Sequence, residues 1–177
     1  MAQKNFKANT RTSLINWTGK KLTGLHRGTI QISSGTIIVE SGEILSGNFD
    51  IDISSLLVTD IEDPKANAQL AGHLFGDDFF AIDRFPTANF TITNSTPVKE
   101  NIRRIDGLLT IKGITQALSF DAAVNIDENS LYATGEIVVD RTKYDIKFRS
   151  GNFFKDLGDS LIHNDFILDL NLVANLN

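Results

Sequence analysis

The sequence contains no cysteine. That removes disulfide frameworks, thiolate metal sites, iron–sulfur clusters and every cysteine nucleophile. Positive charge is thin as well: 17 Lys and Arg against 22 Asp and Glu leave a net charge of −5, with no dense basic stripe. The phosphate neutralisation that a nucleic-acid partner demands is therefore missing. No apolar run approaches the ~20 residues needed to cross a bilayer as a helix. The opening residues Met1-Ala2-Gln3-Lys4-Asn5-Phe6 form no apolar signal core. Two compartments stay open: the cytoplasm, or the periplasm with a leader removed ahead of this sequence. Polar aromatics are scarce too, with 2 Tyr and 1 Trp against 12 Phe. Phenylalanine adds apolar area without a polar handle, so this chain has much greasy surface to bury, in a core or around a ligand. Its 177 residues suit one domain, which at this size buries roughly 70% of its unfolded surface and folds without a staple.

Most of the chain alternates with period two. Leu45, Gly47, Phe49, Ile51 and Ile53 share one face of a strand whose other face carries Ser46, Asn48, Asp50 and Asp52. The same alternation marks Ala88-Phe90-Ile92, Leu118 to Ile126, Leu131 to Val139 and Phe166 to Leu172. Less regular candidates are Ser13–Gly19, Gly28–Ser33, Thr36–Ser41 and Arg103–Ile111, giving about nine strands. Turns are expected at Ser34-Gly35, Ser41-Gly42-Glu43, Lys112-Gly113 and Asp127-Glu128-Asn129. Such short connections make neighbours antiparallel, and one-sided alternation fits antiparallel sheet.

One segment departs from this rhythm. Asp63-Pro64 supplies a capping residue and a proline at the first helical position. Ala66, Leu70 and Leu74 follow at helical spacing, and Gly76 offers a stop, so a helix is predicted over Pro64–Phe75. A second irregular stretch, Asp140–Leu161, is read as a functional loop, a lid or a disordered excursion. Its basic residues suit either a phosphate contact or a solvated surface. Eight or nine long strands plus one helix either close into a barrel or stack as a sandwich. Strands of about nine residues rise ~30 Å, tall enough for a barrel to hold an elongated ligand on its axis, and the barrel is the reading adopted.

Chemical motifs are few. Gly158-Asp159-Ser160-Leu161 has the letters of a serine esterase signature but sits near the end of an all-β chain rather than in a strand-to-helix turn. Asp50-Ile51-Asp52-Ile53-Ser54 lacks the glycine and the closing acid of a calcium loop. The histidines His26, His73 and His163 fall on three different elements without metal-ligand spacing, so neither metal nor cofactor is expected. His73 shares the Leu70/Leu74 face of the helix and is expected to point inward. There it serves as a core histidine or, like His26, as a hydrogen-bonding group for a ligand's polar end. Asp77-Asp78 beside Phe79-Phe80 is either a turn cap or a buried acid. With His26 and His73, Asp78 would supply acid–base groups if the protein were an enzyme acting on a hydrophobic substrate.

Several segments, in order, resemble one family. They are Trp17-Thr18-Gly19-Lys20 and Thr23-Gly24-Leu25-His26-Arg27-Gly28, then Gly47-Asn48-Phe49-Asp50-Ile51-Asp52. Next come Leu70-Ala71-Gly72-His73-Leu74 with Asp77-Asp78-Phe79-Phe80, Phe85-Pro86-Thr87-Ala88-Asn89-Phe90, and the hairpin Gly107 to Thr115. Together they resemble the YceI-like, polyisoprenoid-binding, lipocalin-like domains. The resemblance implies an elongated eight-stranded antiparallel barrel with a helix beside its mouth. It further implies a tunnel for a polyisoprenoid, an isoprenoid quinone or a fatty-acyl lipid, and a possible homodimer; it establishes no catalytic machinery, and a non-catalytic role is the expectation. Residues 12–177 would form this barrel, with 1–11 an N-terminal extension. Trp17, Phe49, Ile51, Phe90, Ile92, Leu109 and Phe120 are the expected tunnel lining. Leu74, Phe79 and Phe80 are expected at the rim, with His26 and His73 near the ligand.

Overall fold

The computed structural model describes residues 2–177 and is built almost wholly from antiparallel strands. In chain order these are β1 (Gln3–Ala8), β2 (Leu14–Lys21), β3 (Gly24–Glu40), β4 (Glu43–Val58), β5 (Thr87–Lys99), β6 (Ile102–Ile111), β7 (Ile114–Ile126), β8 (Ser130–Asp140) and β9 (Ile162–Leu176). Helix α1 (Pro64–Phe75) lies between β4 and β5. Each of β2 to β9 pairs with its neighbour in sequence or, for β9, with β2. The sheet therefore closes into an eight-stranded barrel with no free edge.

The eighth position is filled by two segments. Along β3, residues 24 to 30 pair with β2 and residues 36 to 40 pair with β1. Along β9, residues 162 to 171 face β2 and residues 174 to 176 face β1. Thus β1 and β2 form one strand interrupted at residues 9–13. Residues 3–8, read from sequence as part of an extension, are barrel wall, and Phe6 has no exposed surface. Six residues with two inward side chains give too little alternation to be recognised alone. Across the interruption the Ser13 hydroxyl replaces a ladder partner: it donates to Val173 O (3.1 Å) and accepts from Val173 N (2.9 Å).

Two further expectations change. Ser34-Gly35 is not a turn, because β3 runs through it, with Ser34 opposite Asp50 and Gly35 opposite Phe49. On β4, Ile44 is buried and Leu45 is 44% exposed, because a register shift near Val39 reverses the facing expected for Leu45. The turn at Ser41-Gly42 and the hairpin at Lys112-Gly113 stand as expected, with positive φ at all four residues.

Because neighbours are antiparallel, connections alternate between the barrel's ends. The β2–β3 hairpin, α1, the β6–β7 hairpin and residues 141–161 share one end. The hairpins β3–β4, β5–β6 and β7–β8 share the other. That far end is tightly filled: Phe6, Leu131 and Ala174 are fully buried, and Arg103 donates Nε to Ser95 Oγ (2.8 Å) while pairing with Glu43. The helix end is the looser one. α1 starts where expected, its first turn capped by Asp63 Oδ2 accepting from Ala66 N at 2.8 Å, yet none of its residues is fully buried.

Candidate ligand cavity

Inward-facing side chains of the barrel enclose a cavity of about 220 Å³. The threshold for admitting even one water on this measure is about 10–15 Å³, so the space is a true cavity and not a packing defect. Its wall is nearly all hydrocarbon, so water gains no hydrogen bonds there. Trp17, Phe49, Ile51, Phe90, Ile92, Leu109 and Phe120 all lie on this wall, and Leu74, Phe79 and Phe80 close it at the helix end. Ten of the twelve residues singled out from sequence are thereby brought to one surface. Others of the same inward parity were missed, among them Ile30, Ile53, Leu56, Ile137, Leu168 and Leu170. Their strands alternate in the same way, but parity alone does not say which inward side chains reach the axis rather than pack against one another.

The rings are held against the wall by glycines. At Gly28 an added Cβ would sit 1.7 Å from the Leu57 carbonyl oxygen of β4 and 2.6 Å from the Trp17 ring, so both the strand pairing and the ring require glycine. Phe49 lies over Gly35, with the corresponding distance 2.4 Å. Lacking a side chain, each glycine lets the cross-strand ring lie flat against the backbone, which leaves the axis open. This is the physical reason β3 carries glycine in mid-strand.

The helix end is assembled from three segments. After α1 the chain folds back, Phe80 N donating to Leu74 O (3.0 Å) and Ile82 N to Phe75 O (3.0 Å), which turns Phe79 and Phe80 toward the barrel. His73 packs edge-on against Phe79 (centroids 5.0 Å) and Phe148 (4.8 Å), while Phe80 meets Phe166. The stretch Asp140–Leu161, read as a functional loop, a lid or a disordered excursion, packs around buried Arg141, Tyr144, Ile146 and Ser150. Arg141 is no phosphate ligand. Its guanidinium donates to His163 O, Ile146 O and Ile162 O at 2.9–3.0 Å, and burial lowers its pKa against the opposing pull of Asp140. Ser160 Oγ donates to the Leu157 carbonyl within a short 3-10 turn (2.6 Å), so the esterase-like letters form no nucleophile elbow.

The two histidines assigned to the ligand stand elsewhere. His73 does not point inward; it lies outside the cavity wall with its side chain 41% exposed, and its Nε2 meets Asp78 Oδ2 at 3.2 Å. The Leu70/Leu74 face only partly enters the barrel because α1 lies across the rim rather than within it. Asp78 is an exposed partner of that histidine, not a buried acid. His26 Nδ1 meets Asp60 Oδ2 at 2.9 Å, pinning the chain that leads from β4 into α1. His26, His73 and Asp78 therefore do not meet in the cavity, and the acid–base alternative loses its residues. Among the described residues, no cluster of three metal-ligating side chains occurs, and no helix is long and apolar enough to cross a membrane.

The Asp60 contact has a measurable consequence. Burial alone would raise the carboxyl pKa; hydrogen bonds from His26 and the Arg27 amide, with the His26 charge, outweigh it and hold the pKa below the usual 3.8. A depressed folded pKa stabilises the protein above the unfolded value and is lost as pH falls through the folded one. Asp60→Asn is expected to cost about 1 kcal/mol at pH 7, a gap that shrinks as pH falls below the usual 3.8 and closes once the folded carboxyl is protonated. Urea unfolding of both proteins across that range checks this; an equal gap at both ends removes the assigned role.

Comparison with known proteins gives a consistent picture. The model of the YceI-like domain matches residues 6–174. No curated protein sequence matches. Among solved structures, Burkholderia cenocepacia BcnA superposes with a TM-score of 0.73 at 21% identity, over 94% of this chain and 98% of that one. A polyisoprenoid-binding domain from Saccharophagus degradans, implicated in plant cell wall breakdown, gives 0.70 at 14% identity over 97% and 98%. A Campylobacter jejuni YceI protein gives 0.59 at 18% over 81% and 82%. At these identities the likeness establishes a shared barrel.

Proposed function

Since the chain belongs to the family of YceI-like domains, we propose that it binds, carries or stores a long hydrophobic ligand without catalysing its conversion. The ligand class is a polyisoprenoid, an isoprenoid quinone or a fatty-acyl lipid, lying along the barrel axis. One observation carries this reading: an axial cavity of about 220 Å³ walled by hydrocarbon. A chain of isoprene or methylene units offers only apolar area, at ~25 cal/mol per Å², so ~300 Å² removed from water yields about 7 kcal/mol before ordering costs. A neighbour of the same fold is described as polyisoprenoid-binding, and this wall suits that chemistry. The lining offers almost no polar surface, so a ligand's polar end finds its partners in solvent at the open helix end, where Lys20, His163 and Asp165 stand.

The test is extraction of the purified protein with organic solvent followed by mass spectrometry. A long-chain isoprenoid or acyl species in stoichiometric amount is expected. Stripped protein is further expected to take up a polyprenol presented on cyclodextrin. Protein that is repeatedly lipid-free and refuses added polyprenol, quinone and fatty acid overturns the reading.

A further inference from the structure

The exposed apolar side chains are not spread evenly around the cavity mouth. Leu45, Leu57, Val98, Leu108, Tyr132 and Val138 are spread over β4, β5, β6 and β8, the scatter expected of any soluble surface. At the mouth, by contrast, Leu22 (58% exposed), Phe153 (51%) and Phe154 (48%) occupy the tips of two adjoining segments. Leu22 N donates to Leu161 O (3.1 Å), and Ile162 N donates to Arg149 O (2.9 Å), so β9 stitches the β2–β3 hairpin to the 147–155 loop. Each segment begins at the cavity itself, the hairpin at Lys20 and the loop just after Ile146.

Charge is equally uneven. Residues 20–27 and 147–155 hold Lys20, Lys21, Arg27, Lys147, Arg149 and Lys155, six of the 17 cations, and none of the 22 acids, in a chain of net charge −5. Asp145 beside Lys147 (3.5 Å), Asp156 after Lys155 and Asp60 against His26 lie just outside and offset part of this, and Glu62, Asp63, Asp77, Asp78 and Asp83 around α1 stand at the same end, so the basic surface is confined to these two tips. Lys147 Nζ sits 4.8 Å from the Phe153 ring centre, so cation and aromatic project together. Exposed rings beside cations fit a surface that is oily inside and negative outside.

We propose that this rim docks onto an anionic bilayer: Phe153, Phe154 and Leu22 enter the interface while the surrounding lysines and arginines face the headgroups. The mouth of the barrel then opens toward the lipid phase. The purpose of docking rests on the carrier reading, but the docking contacts do not need an occupied cavity.

Vesicle flotation tests it, using phosphatidylcholine alone or mixed with phosphatidylglycerol. The wild type is expected to float with the mixed vesicles. Its partition should fall at least tenfold on neutral vesicles, and likewise at about 1 M salt, where the Debye length is about 3 Å. Leu22→Ser/Phe153→Ser/Phe154→Ser should lower partition tenfold or more. Lys147→Glu/Lys155→Glu should lower it by about fivefold or more per cation. None of these five residues lines the cavity, so polyprenol uptake from cyclodextrin is expected to match the wild type in both variants. That uptake also certifies their fold. Equal partition onto both vesicle types, no flotation at low salt, or unchanged flotation of the triple variant overturns the proposal. Flotation by a protein that takes up no lipid in solution leaves docking standing and removes the carrier reading instead.

Discussion

Arg141→Met lowers the unfolding free energy by about 3–5 kcal/mol, which at this chain length moves Tm down by roughly 10 °C. Arg141 is 4% exposed, and its three guanidinium nitrogens donate to the carbonyls of His163, Ile146 and Ile162. These acceptors belong to the mouth loop and to the first residues of β9. One side chain thus joins the irregular segment to the barrel. Methionine fills the volume but strands three acceptors where water has little access, and each then loses a charge-assisted partner. Arg141→Lys keeps the charge without the planar fork, so its stability is expected between the two. Urea unfolding of the three proteins decides it. A loss under about 1 kcal/mol for the methionine variant means that solvent reaches those carbonyls and that the loop is held by something else.

The second large effect concerns occupancy. Ala122, 3% exposed on β7, contributes one of the small side chains of the cavity wall. Ala122→Trp is expected to put an indole into space the ligand would use. If about 120 Å² of ligand contact is displaced, roughly 3 kcal/mol goes with it, a hundredfold in affinity. The same change fills a void in ligand-free protein, so Tm of the stripped variant should equal or exceed that of the stripped wild type. Overpacking in an already solid core would give the reverse, a loss of about 1–3 kcal/mol. Calorimetry on stripped proteins plus polyprenol titration separates the two cases. Wild-type affinity in the tryptophan variant would mean that the ligand lies elsewhere.

Local signals carried much of this architecture. The Asp63-Pro64 start of α1 and the Lys112-Gly113 hairpin depend on contacts within a few residues, and both stand as read. Strand facing was legible wherever alternation was unbroken, which is why Phe49, Phe90 and Phe120 fell on the cavity wall. The misreadings share one cause: they depended on a partner distant in sequence. Gly35 resembles a turn residue until Phe49 is placed across from it. Residues 3–8 resemble an extension until β3 and β9 flank them. His73 carried the right spacing for an inward face, but spacing cannot say whether a helix lies inside a barrel or across its rim. The loop 141–161 lacks periodicity altogether; its order comes from Arg141 and from carbonyls up to 22 residues away.

The seam between β9 and the interrupted strand β1–β2 fixes when the barrel can exist during biosynthesis. Residues 3–21 have one lateral neighbour in β3 as soon as that segment emerges, but their second neighbour, residues 162–176, is the last strand translated. Until then the nascent sheet carries two unsatisfied edges and a greasy concave face. Closure therefore waits until residues 162–176 have left the ribosomal tunnel, and until then the open sheet edges are exposed to wrong pairing.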